Sequence, residues 1–593
     1  MNFNPIKGVK NTMLSMVFFC GTSLLYSQGF LHRDGTKIVD GSGKNMLLRG
    51  LGIGGLMVQE GYMLKTSDFA GPQHRIKQKI SDLIGSKNTK LFYDTYKKNG
   101  FTKRDVDSLA AWGFNSIRLP MHYNLYTLPL ELEPEKGKDT WLEEGFEMTD
   151  SILSWCAANK MYLILDLHAA PGGQGKDAAI SDYNASQPSL WENQENQDKM
   201  IAFWNKIAAR YQDNPWIGGY DIINEPNWNF SSTNSNGCDE TKNSPLRSLQ
   251  IAITEAIRKV DTHHLIIIEG NCWGNNYNGI FPLWDDNMAL SFHKYWNTND
   301  KGSIQQMLTY RDTYNVPIWL GESGENSNVW FTDAIKLVET NNIGWAFWPM
   351  KKIENIAGIT SVNEPKGYND LLEYWKGKAV LPSVTEANAT LQQIATAYKI
   401  ENVTIHYDVL DAMFRQVQSQ ETKPYTIHNL SSVIFASEYD MGQIGKAYFD
   451  KDAANYQVST GIDVAWNSGN AMRNDGVDIA PCKDDISNGY QVVDIQDGEW
   501  LQYTIVISKT VRGTLYIRYS SDASNGKIYV ADSNGTKIAP AISLPSTGGK
   551  TNWKTLKLAN NTFSKGKTSF RVFIEKGGFQ LNYLEFKKSK SRK

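Results

Sequence analysis

The chain has 593 residues and a formal net charge of -2, with 41% hydrophobic and 21% charged residues. That length predicts two or three domains, and that composition excludes wholesale disorder. The near-neutral balance gives no electrostatic case for a nucleic-acid partner.

The first 27 residues read as an address. Lys7 and Lys10 make a basic start, 13–26 is mostly apolar, and Ser27 before Gln28 is a cleavage point. The run is too short for a membrane span, so a signal peptide over 1–27 and an extracellular or periplasmic protein are expected. Phe18 and Phe19 ahead of Cys20 lack the small residue that lipid attachment favours. The remaining cysteines, Cys156, Cys238, Cys272 and Cys482, show no metal-ligand spacing, so no metal site is expected. Cys156 sits in a helical pattern and reads as a buried thiol.

From 28 to 399 short apolar runs alternate with amphipathic stretches. The runs are 47–53, 116–120, 162–167, 219–223, 265–268, 288–292, 317–320 and 344–348. Continuous apolar runs of that length suit strands buried on both faces of a parallel sheet. Helices are predicted over 101–113, 147–160, 197–212 and 246–261, and a long insertion near 59–98. Eight strand–helix units predict a (β/α)8 barrel. A linker is expected over 400–429. From 430 to 587 the period becomes two, as in Leu501, Tyr503, Ile505 and Ile507, with Gly/Asn clusters between runs. That predicts an all-β sandwich of jelly-roll type, followed by a basic tail over 588–593.

Polar residues at the C-terminal ends of barrel strands face the active site. They are Arg118, Asp166, His168, Asn224, Glu225, Glu269, His293, Tyr295 and Glu322. Glu225 and Glu322 each end a strand with no adjacent basic residue. Glycoside cleavage needs such a pair, one carboxyl to protonate the leaving oxygen and one to attack or activate water. Trp228, Trp273 and Trp296 follow strand ends and are either sugar platforms or plain packing.

These residues reach a family. The barrel resembles glycoside hydrolase family 5 through Arg118 in Ile-Arg-Leu-Pro, His168 in Leu-Asp-Leu-His, Asn224-Glu225-Pro226, His293-Lys294-Tyr295, Glu322 and Trp348 in Ala-Phe-Trp. The resemblance implies a retaining hydrolase of β-1,4- or β-1,3-glucan with Glu225 as acid/base and Glu322 as nucleophile. It implies that Arg118 and Tyr295 hold Glu322, that Asn224 meets the sugar 2-hydroxyl, that His168 and His293 fix the network, and that Trp348 stacks under the sugar. Asp166 and Glu269 receive no role and read as structural. The segment 49–56 resembles the start of exo-acting β-1,3-glucanases, while the rest fits endo-β-1,4-glucanases equally. The alternatives are a non-catalytic glycan-binding barrel, and a transglycosylase or mannanase on the same scaffold.

The sandwich resembles carbohydrate-binding modules of family 6 through the segments 473–479, 498–503 and 578–583. The resemblance implies a sugar contact at Asn582, with Tyr490 as a second candidate. Met472 and Lys550 stand where stacking aromatics are usual, which predicts weak or absent binding at that loop. It also implies a structural calcium near the module's start, but Phe435 and Ser437 stand where acidic or amide groups are usual. No cofactor is therefore expected; the expected partner is β-glucan polysaccharide or oligosaccharide, met by a monomer.

Overall fold

The computed structural model describes residues 29–429 and 433–588. The signal segment and residues 589–593 of the basic tail lie outside the described residues.

Eight parallel strands close into a barrel: β1 (Arg49–Gly52), β2 (Ser116–His122), β3 (Tyr162–Ala169), β4 (Ile217–Asp221), β5 (Ile266–Ile268), β6 (Met288–Lys294), β7 (Ile318–Gly324) and β8 (Gly344–Trp348), with β8 pairing back onto β1. Alternation decides which side chain goes where. One parity, including Leu163, Leu165, Ile266, Ile268, Leu290 and Leu320, packs outward under the helices. The other, including Tyr162, Ile164, Ile267, Ala289, Trp319 and Ala346, fills the interior. A hairpin of His32–Asp34 with Lys37–Val39 belongs with this second cluster and brings Leu31 and Ile38 to it, plugging the barrel.

The insertion after β1 holds α1 (Gln73–Gly100), broken at Gly85, whose φ of +76° is left-handed. Its apolar face, with Ile76, Ile80, Phe92 and Tyr96, packs on Leu371, Leu391, Ile394 and Tyr398 from the segment after β8. The two insertions therefore share a core of their own beside the barrel. The outer helices include α2 (Lys103–Trp112), α3 (Glu143–Ala158), α4 (Gln194–Tyr211), α5 (Ser244–Arg258), α6 (Gln305–Tyr314) and α7 (Asn328–Thr340). Thr102 and Asp105 form a reciprocal capping box at the start of α2.

The stretch 400–429, expected as a linker, is packed against the barrel. Thr404–Ile405 pairs with Thr360–Val362, and a helix over Tyr407–Met413 buries Val409, Leu410 and Met413 in the barrel's main core. Beyond it, two six-stranded sheets enclose one apolar core that includes Tyr439, Tyr503, Ile517, Val530, Phe570 and Leu584. One sheet is centred on Trp500–Ile507 and Gly566–Lys576, the other on Val511–Ser521 and Gln580–Lys588.

Phe435 and Ser437, the two positions weighed for a calcium ion, lie near the module's start. Phe435 offers no side-chain oxygen, Ser437 Oγ accepts from Asn488, and the Arg473 guanidinium already occupies the carbonyl of Tyr439.

Candidate active site

The inward parity of each strand continues past the apolar interior and turns polar at the C-terminal mouth. Asp166 and His168 follow Ile164 on β3, Glu269 follows Ile267 just after β5, His293 follows Ala289 on β6, and Trp348 follows Ala346 on β8. Glu322 joins them across an irregular β6–β7 register at Phe292/His293.

Arg118 on β2 is fully buried and organises the floor. Its Nε donates to Asp221 Oδ2 at 3.0 Å. Its Nη2 donates to the same oxygen at 2.8 Å, to Asn224 Oδ1 at 2.8 Å and to Glu269 Oε1 at 3.1 Å. Its Nη1 donates to Glu322 Oε1 and lies 3.2 Å from Asp166 Oδ2. Tyr295 donates its hydroxyl to Glu322 Oε2 at 3.2 Å. His293 Nδ1 is 2.6 Å from Glu225 Oε1 and 3.6 Å from Glu322 Oε2, while its Nε2 is 3.1 Å from Glu269 Oε1. An oxygen of Glu225, an oxygen of Glu322 and a His293 nitrogen all lie within 4.8 Å of one another.

Glu225 sits at a φ of +43°, a costly conformation for a residue with a Cβ. Its own N–H donates to Glu269 Oε2 at 2.7 Å, which fixes that backbone. Gln174 holds the carbonyls of His168 at 2.7 Å and Asn224 at 2.9 Å, tying the β3 and β4 mouths together.

Six carboxyls (Glu60, Asp166, Asp221, Glu225, Glu269 and Glu322) are buried around one guanidinium and two imidazoles. They cannot all ionise at ordinary cost. Burial, reinforced by Glu322 and Glu269, pushes Glu225 up to about 6 against the pull of His293. Burial also raises Asp166 and Asp221 above the usual carboxylate range. For Glu322 burial is overcome by His293, Arg118 and His168, which hold it below its ordinary value. Burial alone would lower His293, but Glu269, Glu322 and Glu225 carry it well above the usual imidazole range. The resulting asymmetry is one carboxyl biased to carry a proton and one biased to be anionic.

Trp348 stacks on His168, with ring centroids 5.0 Å apart, and donates Nε1 to the Tyr62 hydroxyl at 2.8 Å. Gly52 and Gly54 make room for it, since a Cβ at either would collide with the indole. Two glycines of the segment 49–56 are therefore required because a tryptophan from the neighbouring last strand lies against them.

All eight barrel residues named from the sequence converge here. Asp166 and Glu269, read as structural, belong to the same network. Glu60 and Tyr62 were missed. Glu60 is buried 3.7 Å from His168 Nε2, and burial pushes its carboxyl up to about 7. Of the three further tryptophans, Trp273 and Trp296 line the cleft, whereas Trp228 is 8% exposed and packs beneath Lys176. Cys238 and Cys272 form a disulfide with a Cα–Cα distance of 4.7 Å, tying the loop after β4 to the segment after β5. No spacing signal had paired them.

In the module, Asn582 is fully buried and donates to Asp484 Oδ2 and to the Ile486 carbonyl, both at 2.8 Å. Asp484, itself paired with Arg518, and the Ile486 carbonyl thus take up the Asn582 NH2 group, while its Oδ1 is left without a hydrogen-bond partner. Tyr490 is half-buried against the module's own core.

Residues 77–353 match the model of cellulases, glycosyl hydrolase family 5. Residues 473–586 match the model of carbohydrate-binding module family 35, which corrects the expected family 6. A beta-xylosidase of Phanerodontia chrysosporium is 26% identical over 390 residues, covering 59% of this chain and 76% of that protein. Endoglucanase C of Acetivibrio thermocellus is 23% identical over 332 residues, covering 44% and 88%. A probable glucan 1,3-beta-glucosidase A of Aspergillus niger is 22% identical over 185 residues, covering 31% and 42%. The chain is a glycosyl hydrolase.

Proposed function

We propose that this glycosyl hydrolase, whose barrel carries a family 5 domain, cleaves a β-linked glucan with retention of configuration through a covalent glycosyl-enzyme. The supporting observation is the approach of Glu225 and Glu322, with oxygens within 4.8 Å. Retaining pairs stand roughly 5–5.5 Å apart, and inverting pairs roughly 6.5–9.5 Å to admit a water between.

Glu322, kept anionic by Arg118 and His293, attacks the anomeric carbon. As the bond to the leaving oxygen breaks, Glu225 gives that oxygen its proton. A water then enters, Glu225 takes a proton from it, and the resulting hydroxyl displaces Glu322. Tyr295 steadies the nucleophile. Asn224, its Oδ1 engaged by Arg118 and its Nδ2 3.5 Å from His168 Nε2, gives its second Nδ2 hydrogen to the sugar 2-hydroxyl, where a contact strengthens in the transition state. Trp348, stacked on His168, lines the cleft beside the ring at the point of cleavage.

The likeness to a beta-xylosidase favours a second reading, a β-xyloside in the same site. It differs only by the hydroxymethyl group at C5. Export is part of the proposal. The Cys238–Cys272 disulfide suits an oxidising compartment, and no helix among the described residues is long and apolar enough to cross a membrane.

Proton NMR of the first product from matched β-glucoside and β-xyloside oligosaccharides tests the reading. A β-anomer formed first, with faster turnover of the glucoside, is expected. An α-anomer formed first would overturn retention, faster xyloside turnover would select the second reading, and no turnover would leave a binding protein.

A further inference from the structure

We propose that the C-terminal module is a wall of the catalytic cleft, and that Trp466 of the module, which lines that cleft together with Trp296 of the barrel, forms a subsite for a second sugar ring of the bound chain. This rests on the reading of the cleft as a glycan-cleaving site.

The cleft that holds Glu225 and Glu322 has a volume of about 1200 Å³, and its lining includes Val458, Trp466 and Asn470. These lie some 130–150 residues beyond the nucleophile, in the sandwich region and ahead of the stretch that matches a binding-module family. They are fixed to the barrel at the cleft's rim. The Val458 N–H donates to the Trp296 carbonyl at 2.9 Å, and the Thr298 N–H donates to Ser459 Oγ at 3.0 Å.

Trp466 is held from below. Its Nε1 donates to Asn474 Oδ1 at 3.1 Å, and Asn474 Nδ2 donates to the carbonyl of Asn326, four residues past Glu322, at 2.8 Å. Asp408 anchors the joint, accepting from Asn328 Nδ2 at 2.8 Å and from the Asn474 N–H at 2.9 Å. Asn326, Asn328, Asp408 and Asn474 are all buried. A buried, hydrogen-bonded polar joint of this kind sets one orientation.

The surface above the joint has the opposite character. Trp296 is 36% exposed, Val458 66% and Ile462 63%, and Trp466 is half-buried. An indole kept for packing alone would be covered. Here the aromatic faces are left open on a rim whose supports are closed. Trp296, Asn470 and Met472 all take positive φ, strain of the sort that is held where function requires it. The ligand such a surface suits has a flat apolar face and a polar edge, as a pyranose ring does.

The test uses the full chain and two substrates. A β-glucosyl fluoride, whose leaving group is a single atom, fills only the ring being cleaved, whereas a β-gluco-oligosaccharide of four or five units reaches the rim. In Trp466→Ala the ratio of kcat/KM for oligosaccharide over fluoride should fall about tenfold, mainly through KM, the size of one lost stacking contact. Trp466→Phe should restore most of it. An unchanged ratio, or equal loss on both substrates, would overturn the subsite. Failure of the unmutated enzyme to turn over either substrate would instead overturn the β-glucan reading. Equilibrium titration of the same oligosaccharide would then decide the subsite, which requires weaker binding in Trp466→Ala and is refuted by equal binding.

Discussion

Glu225 Oε1 and His293 Nδ1 lie 2.6 Å apart, so the group proposed to carry the catalytic proton is held by a cation. The imidazole also faces Glu322 at 3.6 Å and Glu269 at 3.1 Å, and these carboxylates keep it charged.

The pH profile follows from that arrangement. Glu225 must be protonated for the first step, so kcat/KM on an unactivated glycan should fall as pH rises through about 6. Glu322 must be ionised, so the acid limb should lie below the ordinary carboxylate range. His293 lowers both groups, and His293→Gln should therefore move both limbs to higher pH. Initial rates across pH check this. A bell that stays in place, or moves to lower pH, would mean the imidazole is uncharged.

The two carboxylates should separate by rescue. Glu225→Ala should still form the glycosyl-enzyme from an activated aryl glycoside, whose leaving group needs no proton, and added azide should release a β-glycosyl azide. Glu322→Ala should lose the intermediate altogether, and azide attacking from the vacated side should give the α-product. Product stereochemistry by NMR distinguishes them, and the reverse pattern would exchange the two roles.

The disulfide bears on stability and on the cleft together. Cys238 and Cys272 are 34 residues apart, and opening a loop of that size should cost about 3–4 kcal/mol. Cys272 and its neighbour Trp273 both have positive φ and both line the cleft. Cys238→Ser with Cys272→Ser should lower the thermal midpoint and raise KM for oligosaccharides. Calorimetry and steady-state rates read both effects, and an unchanged midpoint would remove the bridge from the stability account.

Much of the barrel was legible because its strands are continuous apolar runs. The run over 344–348 is β8 itself, and that over 116–120 begins β2. The convergence of charge was harder to see. Glu269 stands two residues after Ile267, and Asp166 two after Ile164, so the period of two already assigned both to the interior. What hid their part in the site was the absence of a motif, not of a signal. Glu60 and Tyr62 lie in an insertion whose path no periodicity fixes. The surroundings of Asn582 were hidden for a different reason: a local motif does not reveal that Asp484, 98 residues earlier, accepts from its Nδ2. The same limit hid the joint between Asn474 and Asn326, which depends on how two domains meet.

The most direct measurement is covalent. Incubation with a 2-deoxy-2-fluoro-β-glucosyl fluoride should slow both steps and trap the intermediate, since the fluorine withdraws charge from the anomeric centre and cannot hydrogen-bond as the 2-hydroxyl does. Peptide mapping by mass spectrometry should then place one fluoroglucosyl group on Glu322, within the β7 peptide. A label on Glu225, or turnover of the reagent to an α-anomer first with no labelled peptide, would contradict a double displacement through Glu322.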